Sequence, residues 1–156
     1  MKKIICLLLA LTLSLTACGQ PAAPSTQDYA QVIRDNASEG SIGIVTSAQE
    51  DEFGLLELYG LDPDQMERFA VSISPVNLTA YAVMIVLPTG DGAADVDKAL
   101  QGFIQKQTDA FRDYLPDQYA IAQEAKLVTR PGGERILVMC QDADQILQKI
   151  QKALDA

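Results

Sequence analysis

Apolar residues along the chain recur in two rhythms, and each predicts an element. From Phe69 to Ser74 the period is two: Phe69, Val71 and Ile73 point one way, and Ala70, Ser72 and Ser74 the other, which predicts a strand. Thr79–Leu87 runs almost unbroken through Tyr81, Val83, Met84, Ile85 and Val86. A strand apolar on both sides belongs in the middle of its sheet. Two shorter strands are predicted at Ala125–Thr129 and Arg135–Cys140, joined at Pro131-Gly132-Gly133 by a hairpin turn.

Elsewhere the period is helical. Tyr29, Val32 and Ile33 share a face over Thr26–Ala37, which Glu39-Gly40 ends, and Phe53, Leu55, Leu56 and Tyr59 share one over Gln49–Tyr59, which Gly60 ends. Asp62-Pro63-Asp64 is a turn or a new helix start, and Ser41–Ser47 a short strand or a loop. After the loop Pro88–Gly92, Asp91 is placed to cap a long helix. Val96, Ala99, Leu100, Phe103, Ile104, Phe111, Tyr114 and Leu115 follow at three- and four-residue steps, until Pro116 ends or kinks it. Asp142 and Gln145 form a capping box for a last helix through Ile146, Leu147, Ile150 and Leu154. The expected architecture is an α+β domain: a single four-stranded, mainly antiparallel sheet covered on one face by helices. The long helix is expected to cross over, right-handed, between the second and third strands.

The first residues follow neither rhythm. Lys2 and Lys3 precede an uncharged, mostly Leu, Ile and Ala stretch, Ile4–Leu15, which is shorter than the roughly 20 apolar residues that span a bilayer. It ends in Leu15-Thr16-Ala17-Cys18. These four residues resemble the lipobox of bacterial lipoproteins, in which the cysteine thiol takes a diacylglyceryl group and cleavage just before it frees an amine for further acylation. The resemblance implies a signal peptide over Met1–Ala17 and lipid attachment at Cys18. Two acyl chains give a stable anchor where one is marginal. Pro21, Pro24 and small residues then read as a tether over Cys18–Thr26, leaving Gln27–Ala156 as one domain.

The charge is −9, and −11 once Lys2 and Lys3 leave with a signal. This balance argues against nucleic acid and against a domain lying flat on anionic lipid. With 48% hydrophobic residues the chain can build a core. Past Cys6 and Cys18 only Cys140 remains, so packing rather than a disulfide within the chain must hold the fold. The sequence has no His, which removes the commonest general base and transition-metal ligand.

Candidate chemistry is correspondingly thin. Cys140 has Asp142 nearby but no base to take its proton, and reads as a small buried hydrophobe. Asp91, Asp95 and Asp97 lie near Gly90 and Gly92, but their spacing departs from a 12-residue calcium loop; they suit a helix N-terminus better. Glu50, Asp51 and Glu52 read as a solvated helix end. Ser41-Ile42-Gly43-Ile44-Val45-Thr46 lacks the Lys of a phosphate loop, and Asn77-Leu78-Thr79 fits a glycosylation acceptor by chance. No catalytic residue, metal ligand or cofactor is assigned. Tyr114, Pro116 and Tyr119 are the candidate binding residues: such a cluster at a helix end is a peptide-docking surface or, more commonly, a rigid packing corner.

Several features together resemble a bacterial family known as domain of unknown function 4358. They are Tyr59-Gly60-Leu61-Asp62-Pro63 before a strand, the apolar strand and long helix, and the run Asp113-Tyr114-Leu115-Pro116-Asp117-Gln118-Tyr119. A Gly-centred hairpin into Ile136-Leu137-Val138 and Asp142 before the closing helix complete the pattern. The resemblance runs from about Ala30 to the C-terminus and departs mildly at Arg135-Ile136, where the family shows an aromatic. It implies a short exported lipoprotein and no particular activity. The expectation is therefore a lipid-anchored protein on the extracytoplasmic face of the cell membrane, binding or scaffolding an envelope protein or peptide. A carboxylate-dependent envelope hydrolase is the alternative, and it requires two acids converging in a cleft, at least one with a raised pKa.

Overall fold

The computed structural model describes residues 22–37, 43–48, 54–74, 76 and 78–156. Met1–Ala17, Cys18, Glu39-Gly40, Glu50-Asp51-Glu52, Phe53 and Asn77 lie outside the described residues.

At the centre stand β2 (Met66–Ile73) and β3 (Ala82–Pro88), paired antiparallel with Phe69 opposite Val86, Val71 opposite Met84 and Ile73 opposite Ala82. The hairpin β4 (Lys126–Thr129) and β5 (Arg135–Met139) adds to the free side of β3 through β5, so that Met84 faces Leu137 and Ala82 faces Met139. β1 (Val45–Thr46) pairs with β2 at the other edge. The sheet order is β1-β2-β3-β5-β4, with every pairing antiparallel. Among the described residues the sheet thus has five strands, not four: two residues of the ambiguous Ser41–Ser47 stretch pair with β2, which a run too short for alternation could not announce. Nor does the long helix link parallel neighbours. β5 inserts between β3 and β4 and is antiparallel to both, so the connection through the long helix joins two strands that run parallel with one strand between them, a crossover as expected but not between neighbours.

Both faces of the sheet are covered, where a cover on one face was expected. Phe69, Val71, Met84, Val86, Leu137 and Met139 meet α3 (Ala93–Phe111) through Val96, Leu100, Phe103 and Phe111, and α4 (Pro116–Gln123) through Ala122. The short α2 (Leu55–Leu58) adds Leu56 there, and Tyr59 just after it meets Phe103 edge-on, ring centroids 4.9 Å apart. The opposite face carries Ala70, Val83, Ile85, Leu87, Ile136 and Val138. Against it pack Tyr29, Val32 and Ile33 of α1 (Tyr29–Asn36) and Leu147, Ile150 and Leu154 of α5 (Ala143–Leu154). The physical reason was already in β3, whose two apolar faces each need a cover.

Local signals differ in how they were used. Asp28 caps α1, accepting from the Ala30 and Gln31 amides at 2.9 and 3.3 Å. Asp91 does not cap α3: Gly92 occupies the cap position without a side-chain bond, and the Asp142 side chain makes no capping bond to α5 either. Pro116 neither kinks nor merely stops the long helix. It opens α4, where its missing N–H costs nothing. At the β4–β5 turn Gly133 takes φ +96°, a conformation that a Cβ resists.

Candidate functional site

Glu134 follows that turn, and its side chain is fully buried. One carboxylate oxygen, Oε1, accepts from the Ser25 amide and, at 3.4 Å, from the Tyr29 hydroxyl. Arg130 Nη1 lies 2.8 Å from the same oxygen as an ion pair, and Arg130 Nη2 reaches Asp155 at the end of α5. Across from it, Arg68 Nη2 donates to the Ser25 carbonyl and, at 2.8 Å, to the Tyr29 hydroxyl. The Arg68 guanidinium also stands 4.2 Å from the centroid of the Tyr29 ring. Both backbone polar groups of Ser25 are therefore gripped by charged side chains, the fully buried Glu134 and the half-buried Arg68. Burial pushes the Tyr29 phenol above its usual range, and the hydrogen bond from Arg68 partly opposes that rise.

The local sequence explains how these groups meet. A register shift between Met66 and Arg68 sets Arg68 opposite Leu87, on the face that α1 covers. Gly132 lets the preceding chain close over the turn: a Cβ there would stand 2.6 Å from the Ala23 carbonyl oxygen and 2.9 Å from Pro24 Cα. The end of the stretch read as tether is thus docked, with Ser25 buried. Arg68 Nε and Glu134 Oε2 are buried without a hydrogen-bond partner among the described residues, and Arg130 Nη1 meets Glu134 as an ion pair rather than through a well-aligned hydrogen bond.

At the opposite end of the sheet, α3 finishes at Phe111 and the chain turns on bonds from the Tyr114 and Leu115 amides to the Phe111 carbonyl. The candidate binding residues separate here. Tyr119 packs, half-buried, against the α3 side of the core, whereas Tyr114 is 83% exposed and Pro116 is exposed at the start of α4. The Ala80 amide donates to Gln118 Oε1 at 2.7 Å, which ties this corner to the β2–β3 loop. That loop exposes Val76 and Leu78, at 50% and 68%. Exposed Asp113 and Asp117 flank Tyr114.

The acids described here behave as ion-pair partners. Asp97 and Arg135 make a two-pronged bond at 2.7 and 2.9 Å, and the Arg135 hydrogen bonds hold the Asp97 carboxyl below its usual range. A general acid needs the opposite displacement. Among the described residues no three His, Cys, Asp or Glu side chains stand together as metal ligands. Cys140 is half-buried beside the α1–α5 side of the core. A shallow cavity of about 550 Å³ lies between α2 and the Asp62-Pro63 turn, with Leu56, Leu61 and Glu57 in its wall.

The family called Domain of unknown function (DUF4358) matches residues 41–141, more than half of the chain. The chain belongs to that family. The matched span takes in the five strands described for the DUF4358 domain with α2, α3 and α4, and leaves α1 and all of α5 outside. It is narrower than the stretch on which the resemblance was drawn. No curated protein and no solved structure matches the chain. The Ser25 grip was missed by the sequence reading: Ser25 and Glu134 are 109 residues apart, and no local pattern marks either one.

Proposed function

We propose that this DUF4358 protein is a lipid-anchored envelope lipoprotein that binds a partner protein on the outer side of the cytoplasmic membrane. The anchor rests on the basic start, the apolar Ile4–Leu15 and the box ending at Cys18. If it operates, cells fed a labelled fatty acid label the native chain, while Cys18→Ala is unlabelled and leaves the membrane fraction. A Cys18→Ala protein that keeps the label removes the anchor from the proposal.

Tyr114 carries the binding half of the reading. A large aromatic 83% exposed, at the same end as exposed Val76 and Leu78, offers apolar surface that a lone domain gains nothing by showing to water. Asp113 and Asp117 beside it favour a partner whose apolar side chains are flanked by Lys or Arg. A photo-crosslinking residue at position 114 in living cells is expected to trap one recurrent partner, lost when Leu78→Ser is added. A ladder of unrelated products equal to that from a label at exposed Gln148 rejects the surface.

A further inference from the structure

We infer that the grip on Ser25 is the joint between the fold and its lipid, and that it fixes which end of the domain faces the bilayer. The inference rests on Cys18 being lipidated and goes beyond it. Arg68 and Glu134 hold the carbonyl and amide of Ser25, and Gly132 makes room for Ala23 and Pro24. These contacts grip the backbone and the path of the chain, not a particular side chain. They convert the end of a loose tether into a docked arm.

Two consequences follow from chain length and topology. Four residues, Gly19–Ala22, separate Cys18 from the docked arm, so Cys18 and Ala23 stand at most about 18 Å apart at full extension. A tether free as far as Thr26 would reach more than half as far again. The arm also docks at a defined end of the sheet. That end holds the β4–β5 turn, the start of β2, the end of β3 and the first turn of α3: the Thr89 amide bonds the Gln65 carbonyl, and Arg135 bonds Asp97. The exposed apolar residues Val76, Leu78 and Tyr114 occupy the other end, beyond the start of β3 and the end of α3.

The arm end exposes Asp62, Asp64, Asp91 and Asp95. Anionic headgroups repel such a surface over a Debye length of about 8–10 Å, about half the reach of the leash. The bilayer-facing end is thus held close by a short arm and kept off the lipid by charge, while the Tyr114 end points outward toward a partner.

The test uses the full lipidated protein in phosphatidylcholine vesicles containing a lipid with a paramagnetic headgroup. In a Cys140→Ser background, a fluorophore on Asp91→Cys is expected to be quenched several-fold more than one on Leu78→Cys. Ser25→Pro, which removes the amide that Glu134 accepts from and leaves every buried charge in place, is expected to abolish that contrast. So is Glu134→Gln, if it folds. Equal quenching at both positions overturns the inference, as does a contrast that Ser25→Pro leaves intact. Intact mass separates the two layers of the argument. A chain without lipid that stays off the vesicles sinks the anchor reading, and the orientation with it. Slow exchange of the Ser25 amide in that same chain would show the grip surviving alone, and fast exchange would show that the grip fails too.

Discussion

Removing the Glu134 carboxylate leaves the Ser25 amide without its acceptor and Arg130 with only its outer partner, Asp155. Breaking a buried pair from one side costs about 3–5 kcal/mol, because the remaining charge stays desolvated. Glu134→Ala is therefore expected to lose stability on that scale in urea denaturation, although no apolar core residue is touched. Asp97 gives a second, pH-dependent expectation. Its folded pKa is lowered by Arg135, so its contribution is present above the unfolded carboxylate value and is lost as pH falls through the folded one. The pair is partly exposed and is worth up to about 1 kcal/mol at neutral pH. The Tm of the native chain should exceed that of Asp97→Asn near pH 7, and the two should converge in strong acid. Neither site announced itself in the sequence. Glu134 stands in a run of turn residues and Arg68 between Glu67 and Phe69, and only distant contacts distinguish them from surface charges.

At the scale of elements, the two-sided cover makes the sharpest claim. Ile150 of α5 and Phe103 of α3 lie on opposite sides of the sheet, and both are fully buried. Ile150→Ala should cost about 2–5 kcal/mol and Phe103→Ala about 3–5 kcal/mol, read from thermal or chemical unfolding. With only one face of the sheet covered, the helices of the other layer would be surface elements, and substitutions there stay within about 0.5 kcal/mol. At the β4–β5 turn, Gly133→Ala must adopt φ +96° and should cost about 1–3 kcal/mol. Most elements were legible from period alone. β2, β3, the hairpin, α3 and α5 all show it, and their bounds moved by only a few residues. α4 was not, because Pro116 signals the end of one helix and the start of another equally well. The Asp142 box was legible and misleading: a side chain in a capping position bonds the helix amides only if its own backbone aims it there, and here it does not.

For the whole molecule, the useful quantity is polarity along the strands. One end carries the buried charges and the docked arm, the other the exposed Tyr114, Val76 and Leu78. Tyr114→Ala should leave the unfolding midpoint nearly unchanged, because an 83% exposed ring has little packing to lose. The same variant, with the photo-crosslinking residue placed at Val76 instead, should lose the crosslinked partner. A marked drop in Tm would instead make Tyr114 a packing residue, like Tyr119. Among the described residues no helix is long and apolar enough to cross a membrane.

The sequence by itself determined the α+β class, the type and order of most elements, the family and the run of residues on which the lipid anchor is proposed. These are local properties: period, turn chemistry and short motifs are written in neighbouring residues. Tertiary structure alone decided that β5 inserts between β3 and β4, that helices from the two ends of the domain cover the second face, and that Ser25 is held by Arg68 and Glu134. An amphipathic helix specifies that one side must be buried but not against which face of a sheet. A lone charge likewise does not specify whether distant parts of the chain will close over it. Those outcomes depend on groups that meet only after the chain has folded.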